Sequence, residues 1–192
     1  MCGRVHQPDD VSEIKIRPFD TTPPSGDARP SEHLSVWRRH PETGQIVEAK
    51  LRWGLIPHWS RRRPDVQPIN ARAESIGEKP MFAEAYARRR CIIPMDLFYE
   101  RDGRKKLHAF GMLDRKPFGV AGIWENWRNP QGEWERTFAI ITVQPNELVG
   151  AVHDRMPAII PIPEHARWLG DEMNPRDLLV PYPADLMRTW RA

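Results

Sequence analysis

Cys2 follows the initiator methionine directly, and its side chain is small enough that this methionine is expected to be removed. Removal would leave Cys2 with an α-amine and a thiol on adjacent carbons. An ordinary α-amine titrates at about 7.7–8.0 and a free thiol at about 8.5, so both would hold useful deprotonated fractions near neutral pH. A 1,2-aminothiol reacts with an aldehyde in two stages. The amine condenses to an imine, and the thiolate then closes onto the imine carbon to give a five-membered thiazolidine. The same residue could instead attack an amide carbonyl as an N-terminal nucleophile, and a cysteine here can also be incidental. Cys91, the other cysteine, precedes Ile92 and Ile93 in an apolar run and is expected to fill core.

Three further segments set polar side chains in apolar surroundings: Asn70-Ala71-Arg72-Ala73-Glu74, Phe98-Tyr99-Glu100 and Val152-His153-Asp154-Arg155-Met156-Pro157. A carboxyl group in an apolar setting tends towards a raised pKa and can shuttle protons, and a histidine does the same near neutrality with little perturbation. Taken singly, each also has a structural reading: Glu100 as a strand-end charge, Asn70 as a turn residue, His153 as a packing histidine. The seven histidines show no His-x-x-x-His spacing and no Cys-x-x-Cys accompanies them, so no metal is expected. The chain has neither a Gly-rich phosphate loop nor Gly-x-Ser-x-Gly, which sets aside the common nucleotide-dependent and serine-hydrolase chemistries; no cofactor is expected.

The elements that must position these residues are those of one ordinary domain. A chain of 192 residues, 40% hydrophobic and 29% charged, is long enough to bury a real core. Its 20 prolines are scattered, which predicts many turns rather than a disordered tract. The formal charge of +3 points only weakly to a polyanionic partner. The runs Arg61–Arg63 and Arg88–Arg90 strengthen it, although each is equally readable as solvated surface. With two cysteines, no signal peptide and no apolar stretch of membrane-spanning length, a reducing cytoplasm with free thiols and no membrane is expected.

The segment from Pro8 to about Ser31 reads as loop. Two strands, 33–40 and 45–53, flank a Pro41–Gly44 turn; on the second, Val47, Ala49, Leu51 and Trp53 share one face. A basic loop covers 58–68 and a helix 78–90, with Pro80 near its start. An apolar strand from Cys91 to Glu100 should bend near Pro94. Strands at 106–113, 118–124 and 136–143 and short helices at 146–151 and 163–169 follow, while the end of the chain carries few signals. The sum is a single α+β domain over 1–192 with a curved, mainly antiparallel sheet and peripheral short helices. Nothing suggests a dimerisation helix, and a monomer is expected.

Together these segments resemble the SRAP family, the SOS response-associated peptidases also described as abasic-site processing proteins. The resemblance rests on seven ordered blocks: Met-Cys-Gly-Arg at 1–4, Trp-Gly-Leu-Ile-Pro-His-Trp at 53–59, Asn-Ala-Arg-Ala-Glu at 70–74, Arg-Cys-Ile-Ile-Pro at 90–94, Phe-Tyr-Glu at 98–100, Ala-Gly-Ile-Trp at 121–124 and His-Asp-Arg-Met-Pro at 153–157. It implies a barrel-like core and a covalent crosslink between Cys2 and the ring-opened sugar of an abasic site in single-stranded DNA, made in the cytoplasm at the nucleoid. By position, Asn70 would hold the amine or a sugar hydroxyl, Glu100 would assist proton transfer and His153 would act as a second acid/base. Arg4, Arg72 and Arg155 would hold flanking phosphates. Trp59, beside the Arg61–Arg63 run, would offer a stacking platform or a wedge, if it is not one more core tryptophan. The other readings are a thiol (auto)peptidase and a single-stranded nucleic-acid-binding module without chemistry. Three positions depart from the family pattern: Phe19-Asp20-Thr21-Thr22-Pro23 stands where an asparagine is common, Arg101 stands for an aromatic residue, and the chain ends at Trp190-Arg191-Ala192, where relatives often continue.

Overall fold

The computed structural model describes residues 2–8, 27–171 and 174–192. Asp20 and most of the segment read as loop lie outside the described residues. The first half comprises β1 (Val5–His6), β2 (Asp27–Ala28), β3 (His33–Arg39), β4 (Ile46–Trp53), β5 (Asn70–Arg72), α1 (Pro80–Arg88) and β6 (Arg90–Met95). The second comprises β7 (Leu97–Arg101), β8 (Leu107–Met112), β9 (Phe118–Arg128), β10 (Trp134–Val143), α2 (Glu147–Gly150), β11 (Met156–Pro157), β12 (Ile159–Ile160), α3 (His165–Leu169) and β13 (Met187–Arg191).

β3 and β4 form the expected hairpin, with Gly44 at φ +69° in the turn where a left-handed backbone favours glycine. Alternation buries Leu34 and Val36 on one strand and Leu51 and Trp53 on the other. From this hairpin the pairings run β4–β3–β6–β9–β10, and β10 returns to β4 through a parallel contact at Thr137 and Phe138. The sheet is thereby closed into a five-stranded ring. Trp53 and Phe138 stack inside it with centroids 6.2 Å apart, and the Trp53 indole N–H donates to the Ile69 carbonyl at 2.9 Å.

The apolar run from Cys91 does not bend at Pro94, which stays in β6 opposite Gly119. It breaks at Asp96, where the chain changes sheets. β7 joins a second antiparallel sheet in the order β13-β8-β7-β1-β2. One face of that sheet, with Val5, Phe98, Phe110 and Met187, packs on the main core; the other carries a small cluster of Leu97, Tyr99 and Ala109. β9 and β10 are longer than expected because their hairpin stays paired out to Arg128 and Trp134.

Two features tie helices to the ring. Arg90, from one of the basic runs, is buried: its Nε donates to the Trp168 carbonyl at 2.7 Å, Nη1 to that of Tyr86 at 2.9 Å and Nη2 to that of Gly170 at 2.7 Å. It satisfies the carbonyl ends of α1 and α3 together. Gly122 lets β9 lie against its neighbours, since a Cβ there would meet Ile93 Cδ1 at 2.5 Å and the Ala139 carbonyl at 3.1 Å. Gly122→Ala is expected to destabilise the fold by about 1–3 kcal/mol through overpacking, read as a lower urea midpoint. An unchanged midpoint would show that the ring tolerates the extra volume.

Candidate active site

Alternation along β7 sets the environment of Glu100. Phe98 and Glu100 share the face that packs on the core, whereas Tyr99 and Arg101 turn the other way. Glu100 is therefore 3% exposed, and burial pushes its carboxyl above the usual carboxylate range. Cys2 is buried beside it. Burial first, and the Glu100 carboxylate second, push the Cys2 thiol well above its ordinary value. With Met1 in place the fold thus raises this thiol above its ordinary value rather than lowering it.

Asn70 enters on β5, a strand too short to have been expected, which runs parallel to β10 with Asn70 level with Ile140. Its Nδ2 donates to the Cys2 carbonyl at 3.1 Å, and its Oδ1 is buried without a partner among the described residues. His153 arrives from the turn after α2, with Nε2 3.9 Å from Glu100 Oε2. The Arg155 backbone N–H donates to His153 Nδ1 at 3.0 Å. That bond favours the neutral tautomer with its proton on Nε2, the nitrogen facing Glu100. Asp154 Oδ1 lies 3.1 Å from the same Nδ1 and would suit the doubly protonated ring instead. The backbone donor is the better-fixed partner, because Asp154 is largely exposed.

Cys2, Asn70, Glu100 and His153 thus meet, and a cleft of about 470 Å³ lined by Arg4, Arg29, Tyr99, Glu100, Arg101 and His153 opens over the last two. Arg4 stands at its rim, ion-paired with Asp27 and 4.7 Å over the Tyr99 ring, while the Tyr99 hydroxyl donates to Asp27 Oδ1 at 3.1 Å. Arg72 shares the face of Asn70 on β5, is exposed, and forms no ion pair among the described residues.

Arg155 is placed differently. Its Nη1 and Nη2 donate to the two Glu74 carboxylate oxygens at 2.6 and 2.8 Å, and Nη2 also reaches the Thr142 carbonyl at 2.6 Å. With its side chain 6% exposed, this guanidinium is spent on the fold. Trp59 is not a core tryptophan: it is 56% exposed and lines a separate depression with Ser60, Arg61 and Arg62. Sequence reasoning did not single out Asp27 or Arg29, which lie in the segment read as loop, nor Glu74. Glu74 closes the Asn-Ala-Arg-Ala-Glu block, and its contact with Arg155 gives it a role that the sequence does not reveal. Among the described residues, no three His, Cys, Asp or Glu side chains gather in a way that could hold a metal, and no helix is long and apolar enough to cross a membrane.

Beside the closed β-ring, a buried cysteine and a buried glutamate thus lie together with a half-buried histidine. The chain belongs to the SRAP family: the model described as "SOS response associated peptidase" matches residues 1–192. It is 35% identical over 207 residues to the abasic site processing protein YoqW of Bacillus subtilis, covering all of this chain and 92% of that one. It is 27% identical to the abasic site processing protein HMCES of Xenopus tropicalis, covering 83% of this chain and 56% of the relative. A crystal structure of a Bordetella bronchiseptica protein superposes with a TM-score of 0.85 at 29% identity, covering 100% of this chain and 99% of that chain.

An acid whose pKa rises on folding contributes stability fully present below its unfolded pKa and lost as pH climbs through the folded one. Glu100→Gln cannot ionise, so it is expected to melt higher than wild type at about pH 8, with the difference shrinking towards about pH 4. Equal melting temperatures across that range would mean that burial does not govern this carboxyl.

Proposed function

We propose that this protein captures the aldehyde form of an abasic site in single-stranded DNA as a thiazolidine on Cys2, shielding the lesion from strand cleavage. The observation that carries the reading is the burial of Cys2 against Glu100, with Asn70 on its carbonyl and His153 across the carboxyl. The reaction begins once Met1 has been removed and the α-amine is free. The amine attacks the sugar C1′ aldehyde to give a carbinolamine. Water leaves with a proton supplied by Glu100 or His153, forming the imine. The Cys2 sulfur then bonds to C1′; its proton passes through Glu100 to the nitrogen, which ends as the ring amine. Aldehyde and aminothiol thus become thiazolidine and one water. Since the thiol is held protonated, Glu100 must take the sulfur's proton as the bond forms, which is the work of a buried carboxyl with a raised pKa. Ring closure also consumes the imine through which β-elimination would cut the strand.

Arg4 and Arg72 flank the cleft and hold phosphates on either side of the lesion, without reading bases. Trp59, with Arg61 and Arg62 beside it, supplies a face for stacked bases further along the strand. An abasic nucleotide has no base to unstack, so its sugar reaches the cleft at little cost. We take the protein to act as a monomer in the cytoplasm, at the nucleoid, where its two free cysteines stay reduced.

Mixing the protein with abasic single-stranded DNA should give a band that survives denaturing electrophoresis and is absent for Cys2→Ala and for protein with a blocked N-terminus. A band of equal intensity in either control would overturn the aminothiol mechanism. Turnover of an added protein substrate without a crosslink would favour a thiol peptidase, and lesion-indifferent, salt-sensitive binding alone a simple binding module. Glu100→Ala should slow crosslinking by about 10²-fold or more, as expected for loss of a general acid–base, while noncovalent DNA binding is retained; unaltered crosslinking kinetics would remove Glu100 from the mechanism.

A further inference from the structure

Away from Cys2, one end of the ring carries two guanidiniums, Arg38 and Arg136, that no carboxylate pairs with among the described residues. Arg38 lies on β3 on the same face as Leu34 and Val36, so its side chain follows theirs into the ring. It is 5% exposed, and its guanidinium lies 4.5 Å over the ring of Trp124. Nη1 donates to the Arg39 carbonyl at 3.3 Å, while Nε is buried with no partner. No carboxylate pairs with Arg38 among the described residues. Instead a second guanidinium, that of the exposed Arg136 on β10, is near enough for its repulsion to add to burial in lowering the Arg38 pKa. Arg136 likewise has no ion-pair partner among the described residues. Asn126 stands directly opposite Arg136 in the β9–β10 register, with its Oδ1 buried and without a partner among the described residues.

A buried guanidinium without a counter-ion is costly, and a second cation beside it raises the cost. The pair becomes favourable when a tetrahedral oxyanion sits between them, because arginine's planar fork matches phosphate oxygens and the apolar Trp124 floor strengthens the attraction. The Asn126 amide can accept from a phosphate hydroxyl or, turned over, donate to a phosphate oxygen. We propose that this end of the barrel is a phosphate-binding site, with Arg38 as its buried ligand and Arg136 as its solvent-side ligand. The site is separate from the Cys2 cleft: Arg136 precedes Ile140, the residue level with Asn70, by four positions, about 13 Å along a strand. Trp134 is exposed and shares the face of Arg136 on β10, so a base attached to the phosphate would find a ring to stack on. Free phosphate and the phosphodiester of a nucleic-acid strand offer the same group, and the experiment separates them.

The test titrates the protein with sodium phosphate at constant ionic strength, and separately with a lesion-free single-stranded oligonucleotide, following the Arg38 Nε–H resonance. A saturable shift is expected in at least one arm, weakened at least fivefold in Arg136→Gln, whose exposed position leaves the fold intact. In Arg38→Met, the saturable melting-temperature rise that phosphate gives in wild type should disappear, and the rise that the oligonucleotide gives should shrink to the part supplied by the Cys2 cleft and Trp59. Response to phosphate alone identifies a free ion as the ligand; response to the oligonucleotide alone identifies a strand. Cys2→Ala should respond like wild type, so a failure here leaves the crosslinking reading untouched, and a failure of crosslinking leaves this site standing. No saturable response in either arm, or an equal response in Arg136→Gln, would overturn the proposal.

Discussion

Strand β10 is bonded along both edges by four segments, and the reactive cleft lies where they change over. On one edge β9 pairs up to the level of Gly122 and Ile140, and β11 takes over at Thr142 and Val143. On the other, β4 gives way to β5. The changeover from β9 is bridged by Ala158, whose N–H donates to the Ile141 carbonyl and whose carbonyl accepts from the Ala121 N–H, 2.9 and 2.8 Å. The 156–160 segment is thus a wedge in the opening between two strands of a closed ring. It anchors the turn bearing His153 on one side of β10, as β5 anchors Asn70 on the other. Side chains held by a closed ladder have little freedom to lose when a ligand arrives, which is what a reactive site needs.

Burial does opposite things to the two cysteines. Both thiols are fully enclosed and both are pushed up by desolvation. Cys91 faces the ring interior, where no carboxyl adds to that effect; its sulfur fills space opposite Gly122. Cys2 has Glu100 beside it, and the charge of that carboxyl adds to burial in raising the thiol. The same enclosure thus sets one thiol among apolar side chains and the other against a carboxyl. The cost is a carboxyl stranded on the core face of β7, a position that a hydrophobic residue would occupy if stability alone mattered.

The β3–β4 hairpin, α1 and most ring strands were legible from alternation, proline placement and the turn at Gly44. β5, β11 and β12 were not, because two or three residues show no period and exist as strands only through partners distant in sequence. β13 was missed for a related reason: Trp190 and Arg188 look like a polar tail until β8 is beside them. At the site, the residue types were readable but the fates of the arginines were not. Arg72 and Arg155 sit in similar ordered blocks, yet one is exposed and the other is locked to Glu74. Charge in the sequence does not say whether a counter-charge waits in the fold.

The same is true of the other arginines of this chain. Its formal charge is only +3, and several arginines are already neutralised: Arg155 by Glu74, Arg63 by Glu135, Arg167 by Asp177. Arg90 is absorbed as a cap on two helices. Others form no ion pair among the described residues, among them Arg72 beside Asn70, Arg61 and Arg62 beside Trp59, and Arg38 and Arg136 at the end of the ring. Arg4 is paired with Asp27 yet lines the cleft that also holds Glu100 and His153. Attraction in such a protein is a matter of address rather than of net charge. The fold, not the sum of lysines and arginines, decides which guanidiniums are left without a counter-charge.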